Sequence, residues 1–178
     1  MSLGKLKELE DLKAEHQRLS EEYKALWFPD KERVLDELAT EFRTFMQGEG
    51  FNVSSQGGGK FKATYGSTEV FLEVPPPDVS FWGALTALTL TCSSQPKIKW
   101  NLVVFGEKRS SKPRVSVRVR PNDEVERLKE DISDLKTQIQ EFTPVEYTIM
   151  YYQDGSNRGA PNGPIVNSLS EAISAVLS

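Results

Sequence analysis

The sequence predicts an α+β protein: a mostly antiparallel sheet of six to seven strands, helices packed on one face, one β-α-β crossover near the C-terminus, and an N-terminal heptad helix. Three observations predict it. Apolar residues recur every three or four positions over 9–26 and again over 125–142, the spacing of a helical seam. Between Phe51 and Val119 the period falls to two, with Gly and Pro between the alternating runs. After the second seam comes one more alternating run and then a short helical pattern.

The elements follow in order. Residues 5–28 form a helix rich in Glu, Lys and Leu, which Pro29 is expected to end. A second helix runs from Asp30 to about Gln47, with Val34, Leu35, Leu38, Phe42, Phe45 and Met46 forming a stripe broad enough for a core, and Gly48 and Gly50 stop it. Strands are expected at Phe51–Val53, Phe61–Tyr65 and Val70–Val74, with Gly57-Gly58-Gly59 and Gly66-Ser67 as turns. Pro75-Pro76-Pro77 ends this meander, because prolines cannot donate to a ladder. Strands at 88–92, 97–105 and 113–120 follow. The helix from Asp123 to Phe142 opens with the capping-box spacing Asp123/Glu126. At about 31 Å it is long enough to run back over a sheet, so that strand 145–153 enters parallel to 113–120. Ser168/Glu171 is a second capping box, for a final helix. The domain division is then 1–28, a heptad helix for oligomerisation or docking, and 30–178, the α+β domain.

Composition narrows the function. The 178 residues carry a net charge of −4, spread unevenly. Residues 51–120 hold 10 Lys/Arg against 4 Asp/Glu, while 1–50 hold 8 against 12 and 121–178 hold 4 against 10. An acidic chain thus contains a basic middle. No run approaches the roughly 20 apolar residues of a membrane span, and no signal-peptide pattern opens the chain. With one cysteine, Cys92, an intracellular and cytoplasmic setting is expected, with no membrane partner.

The first candidate site is the seam Leu9, Leu12, His16, Leu19, Tyr23 and Leu26. With Leu9, His16 and Tyr23 at the a positions, Glu8, Glu15 and Glu22 fall at g and Lys13 at e. A parallel pair brings Glu8 to a partner's Lys13, whereas an antiparallel pair with 125–142 faces Lys13 with Lys129 or Lys136. The pattern therefore favours a homodimer or another protein partner through residues 5–28. The second site is a basic face: Lys97 and Lys99 on one strand, Arg114, Arg118 and Arg120 on another, brought together if the two form a hairpin. Such a face suits an acidic protein or nucleic acid.

Catalytic signatures are sparse. One histidine and one cysteine provide no multi-histidine metal site and no CxxC pair, so no metal and no cofactor are expected. Gly57-Gly58-Gly59-Lys60 precedes a strand, unlike a phosphate loop. Carboxylate chemistry near loop 154–164, with Arg158, is the enzymatic alternative. No catalytic residue is assigned. The leading reading is a non-enzymatic adaptor or chaperone-like assembly module. A nucleic-acid or polyanion binder comes second, and a small-molecule enzyme third.

Overall fold

Alternation of buried and exposed residues builds most of the sheet. In the computed structural model, which describes residues 3–79, 84–95, 98–107, 123–154 and 163–177, seven strands pair in the order in which they occur in the chain. They are β1 (Asn52–Gly57), β2 (Lys60–Tyr65), β3 (Thr68–Glu73), β4 (Thr86–Cys92), β5 (Lys99–Glu107), β6 (Glu146–Gln153) and β7 (Ile165–Val166). Every pairing is antiparallel. The helices are α1 (Leu3–Gly48), α2 (Glu124–Gln140) and α3 (Leu169–Leu177). The fold is α+β, as the periodicity predicts.

The described contacts divide the chain into two compact units. One comprises Met1–Asp30 with Arg109–Pro144, the other Lys31–Lys108 with Val145–Ser178. Strand 113–120 lies outside the described residues, and with it the first strand of the expected crossover. β6 bonds β5 on one side and β7 on the other.

In the second unit one face of the sheet is the core. Ala63, Val70, Leu72, Leu88, Leu90, Leu102, Val104 and Ile149 alternate inward and are buried. Val34, Leu38, Phe42 and Met46 of α1 cover them, together with Leu169, Ala172 and Ile173 of α3. Each fully buried aliphatic or aromatic side chain contributes about 1.5–3 kcal/mol, so this stripe holds α1 to the sheet. Glu41 adds a polar tie: its Oε1 accepts from the Ser170 N–H and the Ser170 hydroxyl, each at 2.9 Å. Ser168 caps α3 by accepting from the Glu171 N–H at 3.2 Å, and Glu171 returns to the Asn167 N–H. That is the expected capping box, shifted by one residue on its return bond. Cys92 is a buried core residue.

The opposite face is polar over much of its width. Lys62, Phe71, Thr91 and Lys99 form one cross-strand row, and Glu73, Thr89, Asn101 and Tyr152 the next. Lys62 pairs with Glu69 and lies over the Phe71 ring.

One expectation needs correction. Pro29 does not end the first helix: α1 continues unbroken from Leu3 to Gly48. Proline removes the N–H that would reach the Ala25 carbonyl and costs roughly 3 kcal/mol, but packing fixes the helix on both sides of it, by Leu19 before and Val34, Leu35 and Leu38 after. Along Trp100–Val104 β5 is bonded to β4 on one side and to β6 on the other, and the second strand of the expected hairpin, 113–120, lies outside the described residues.

The triple glycine is a turn, as expected. Gly57, Gly58 and Gly59 all have positive φ, and a Cβ on Gly59 would lie 2.0 Å from the Val74 carbonyl oxygen. The helix stop is Gly50, at φ 86°, with Phe51 N–H returning to the Met46 carbonyl at 2.9 Å.

Candidate functional site

The seam of α1 is occupied by a helix of the same chain. Within the first unit, ion pairs among the described residues join α1 to α2, including Glu8–Lys129 at 2.9 Å, Glu15–Lys136 at 2.6 Å and Lys13–Glu124 at 3.6 Å. Their arithmetic fixes the direction of the pair. Aligning Leu9 with Val125 aligns Leu12 with Leu128, His16 with Ile132 and Leu19 with Leu135. In that frame Glu8, Glu15 and Glu124 are all g positions, while Lys13, Lys129 and Lys136 are all e positions. Each ion pair then runs from a g residue to the e residue five places further along the other helix, the signature of parallel helices in register.

Burial follows the same frame. Leu9 (6%), Leu19 (4%), Val125 (9%) and Ile132 (5%) are the buried residues of the pair. Leu12, His16 and Tyr23 are half-buried, and Leu26 is exposed at the end of the seam. His16 thus lies level with Ile132 in this frame. The antiparallel clash of Lys13 with Lys129 does not arise, because the pair is parallel.

Electrostatics register these contacts. The Lys136 ammonium, hydrogen-bonded to Glu15, holds the Glu15 carboxyl below the usual carboxylate range. Glu8 pushes Lys129 above the usual lysine value, with Glu126 and Asp123 adding to it. All of these side chains are solvent-accessible, so the pairs select register and partner more than they add stability. Asp123 opens α2 by accepting from the Val125 N–H at 2.9 Å, one residue short of the expected box, and Glu124 and Glu126 lie in the first turn where the helix dipole favours acids.

The basic face is largely beyond view. Lys97, Arg114, Arg118 and Arg120 lie outside the described residues, and Lys99 alone is placed, exposed on the polar side of the sheet opposite Thr91. Arg158 and most of loop 154–164 also lie outside them. Among the described residues, no group of three or more His, Cys, Asp or Glu is arranged to hold a metal ion, and no helix is long and apolar enough to cross a membrane.

Sequence reasoning missed one charged residue of the second unit. Lys31 is 2% exposed, and its Nζ donates to the Val79 carbonyl at 2.6 Å. Loss of hydration holds its ammonium below the usual lysine value, partly offset by Asp78. Its place between Asp30 and Glu32 reads as a solvated helix surface, and only the fold of the 76–79 turn over it reveals the burial.

The chain matches no known protein family, no curated protein and no solved structure. Geometry alone therefore bears on function.

Proposed function

We propose that the chain is a non-catalytic protein-interaction module and that its contact element is a two-stranded parallel coiled coil formed by residues 5–28 of α1 with α2. The observation that carries this reading is the set of three g-to-e ion pairs around a seam of Leu9, Leu19, Val125 and Ile132. What the pair offers is a surface, with charges that set register and partner choice.

The in-chain pair also bears on self-association. Pairing α1 with α1 of a second copy satisfies only Glu8 with Lys13, once on each side, and sets His16 against His16. Pairing α1 with α2 satisfies three acids with three lysines and sets His16 against Ile132. The second arrangement is the better matched, so a partner protein meets the outer surface of a completed helix pair.

Two experiments test this. Cysteines at the aligned core positions, Leu12→Cys with Leu128→Cys, should cross-link within one chain while light scattering reports a monomer. A dimer cross-linked between chains would return the seam to homotypic assembly and overturn the in-chain pair. Partners recovered by the intact chain should be lost when exposed outer positions of the pair, Asp11 and Arg127, are reversed in charge. Retention of the same partners would move the contact element elsewhere.

A further inference from the structure

A groove in the second unit, independent of the helix pair, carries a more specific assignment. Its volume is 590 Å³. The floor is apolar, formed by Leu35, Ala39, Phe61 and Val74. One wall is Pro75–Pro77, and the other is the α1 surface bearing Glu32 and Asp36. Leu35, Phe61 and Val74 are the residues that tie the groove to the core, so its shape is fixed by packing. Gly59 lines the end of the groove, held by its carbonyl accepting from the Val74 N–H at 2.8 Å.

The two carboxylates decide the occupant. Both are exposed, and among the described residues neither makes an ion pair or a side-chain hydrogen bond. Some other acids of α1 have a cation within reach, as in Arg18–Glu22 and Arg33–Glu37. Glu32 and Asp36 instead stand one turn apart on the same helical face, a like-charge arrangement that mildly destabilises the helix unless a cation arrives from outside.

We infer that this groove binds an extended peptide segment of a partner protein in which two Lys or Arg residues flank one apolar residue. Four helical residues rise about 6 Å, and alternate side chains of an extended chain are about 6.6 Å apart, so cations at positions i and i+2 meet Glu32 and Asp36 together. The intervening side chain then points to the opposite side of the peptide, toward the apolar wall of Pro75–Pro77. The proline wall presents no N–H groups, so recognition runs through side chains and not through strand addition.

The test uses the full chain and fluorescein-labelled Gly-Arg-Val-Arg-Val-Gly in a polarisation titration. Saturable binding is expected. The variant E32K/D36K should weaken it about tenfold or more, while E49K/D154K, which changes net charge equally at exposed sites outside the groove, should stay within about twofold. The reordered peptide Gly-Arg-Arg-Val-Val-Gly, of identical charge, should bind several-fold more weakly. Absence of saturable binding, equal weakening in the two variants, or indifference to residue order each overturns the assignment. Because Glu32 and Asp36 are exposed, E32K/D36K should keep its circular dichroism spectrum, so a loss of binding does not reflect unfolding.

Discussion

Glu41 ties α3 to α1, and removing it should loosen one end of the second unit by a predictable amount. Its Oε1 accepts two hydrogen bonds from Ser170, both at 2.9 Å. Bonds to a charged acceptor are worth roughly 1.5–3 kcal/mol each, less where water reaches the group, and Glu41 is half-buried. Glu41→Ala should therefore cost about 2–3 kcal/mol, including the lost interaction of a carboxylate with the α3 N-terminus. Glu41→Gln keeps a neutral acceptor and should cost about 1 kcal/mol. Ser170→Ala removes only the hydroxyl bond and should also cost about 1 kcal/mol. Urea unfolding followed by far-ultraviolet circular dichroism reads these differences as midpoint shifts, about 1 M for Glu41→Ala if the slope is about 2 kcal/mol/M. The double variant should fall short of the sum, because both single changes remove the same bond. Amide exchange in α3 should quicken first, since that helix loses its anchor before the sheet loses its core. A Glu41→Ala cost below about 0.5 kcal/mol, or a Ser170→Ala cost equal to it, refutes the role of the carboxylate.

Three other outcomes follow from the geometry. Reversing Lys129 and Lys136 to Glu should loosen the helix pair, and adding Glu8→Lys with Glu15→Lys should restore it; failure of the restoring changes, measured by thermal unfolding, contradicts the parallel register. The same pairs set a pH window. The Glu15 carboxyl is lowered from 4.5, so its contribution is complete above that value and is lost as pH falls through the lower folded-state value; Lys129 is raised from 10.5, so its contribution is complete below 10.5 and is lost as pH rises through the higher one. Melting temperature of the pair across pH should therefore show a plateau with losses at both ends. Gly59→Ala places a Cβ 2.0 Å from a backbone oxygen at φ +75°, so it should destabilise by more than the roughly 1 kcal/mol of a simple backbone-entropy change, read as a fall in the urea midpoint.

The fold was legible where one periodicity held over a whole element. The Val34–Met46 stripe and the alternation of Leu88–Cys92 stand as read, and the Ser168/Glu171 box forms with its return bond shifted by one residue. Pro29 misled because its local cost is real but smaller than the packing on either side. The seam residues were legible as a seam, and the g and e charges as a parallel code. Their mate was not, because a parallel code suits α2 of the same chain as well as a second copy of α1. β7 is two residues long and leaves no periodic trace. The groove escaped notice because it joins Glu32 and Asp36 to Gly59 and Pro75, which only the fold makes neighbours.

Each unit is assembled from two separate stretches of chain, and α1 contributes to both. This has a consequence for synthesis. Leu9 and Leu19 leave the ribosome early, but Val125 and Ile132 follow only after roughly a hundred more residues, on the order of 5–20 s at the usual rate of translation. Throughout that interval the nascent seam has no mate of its own.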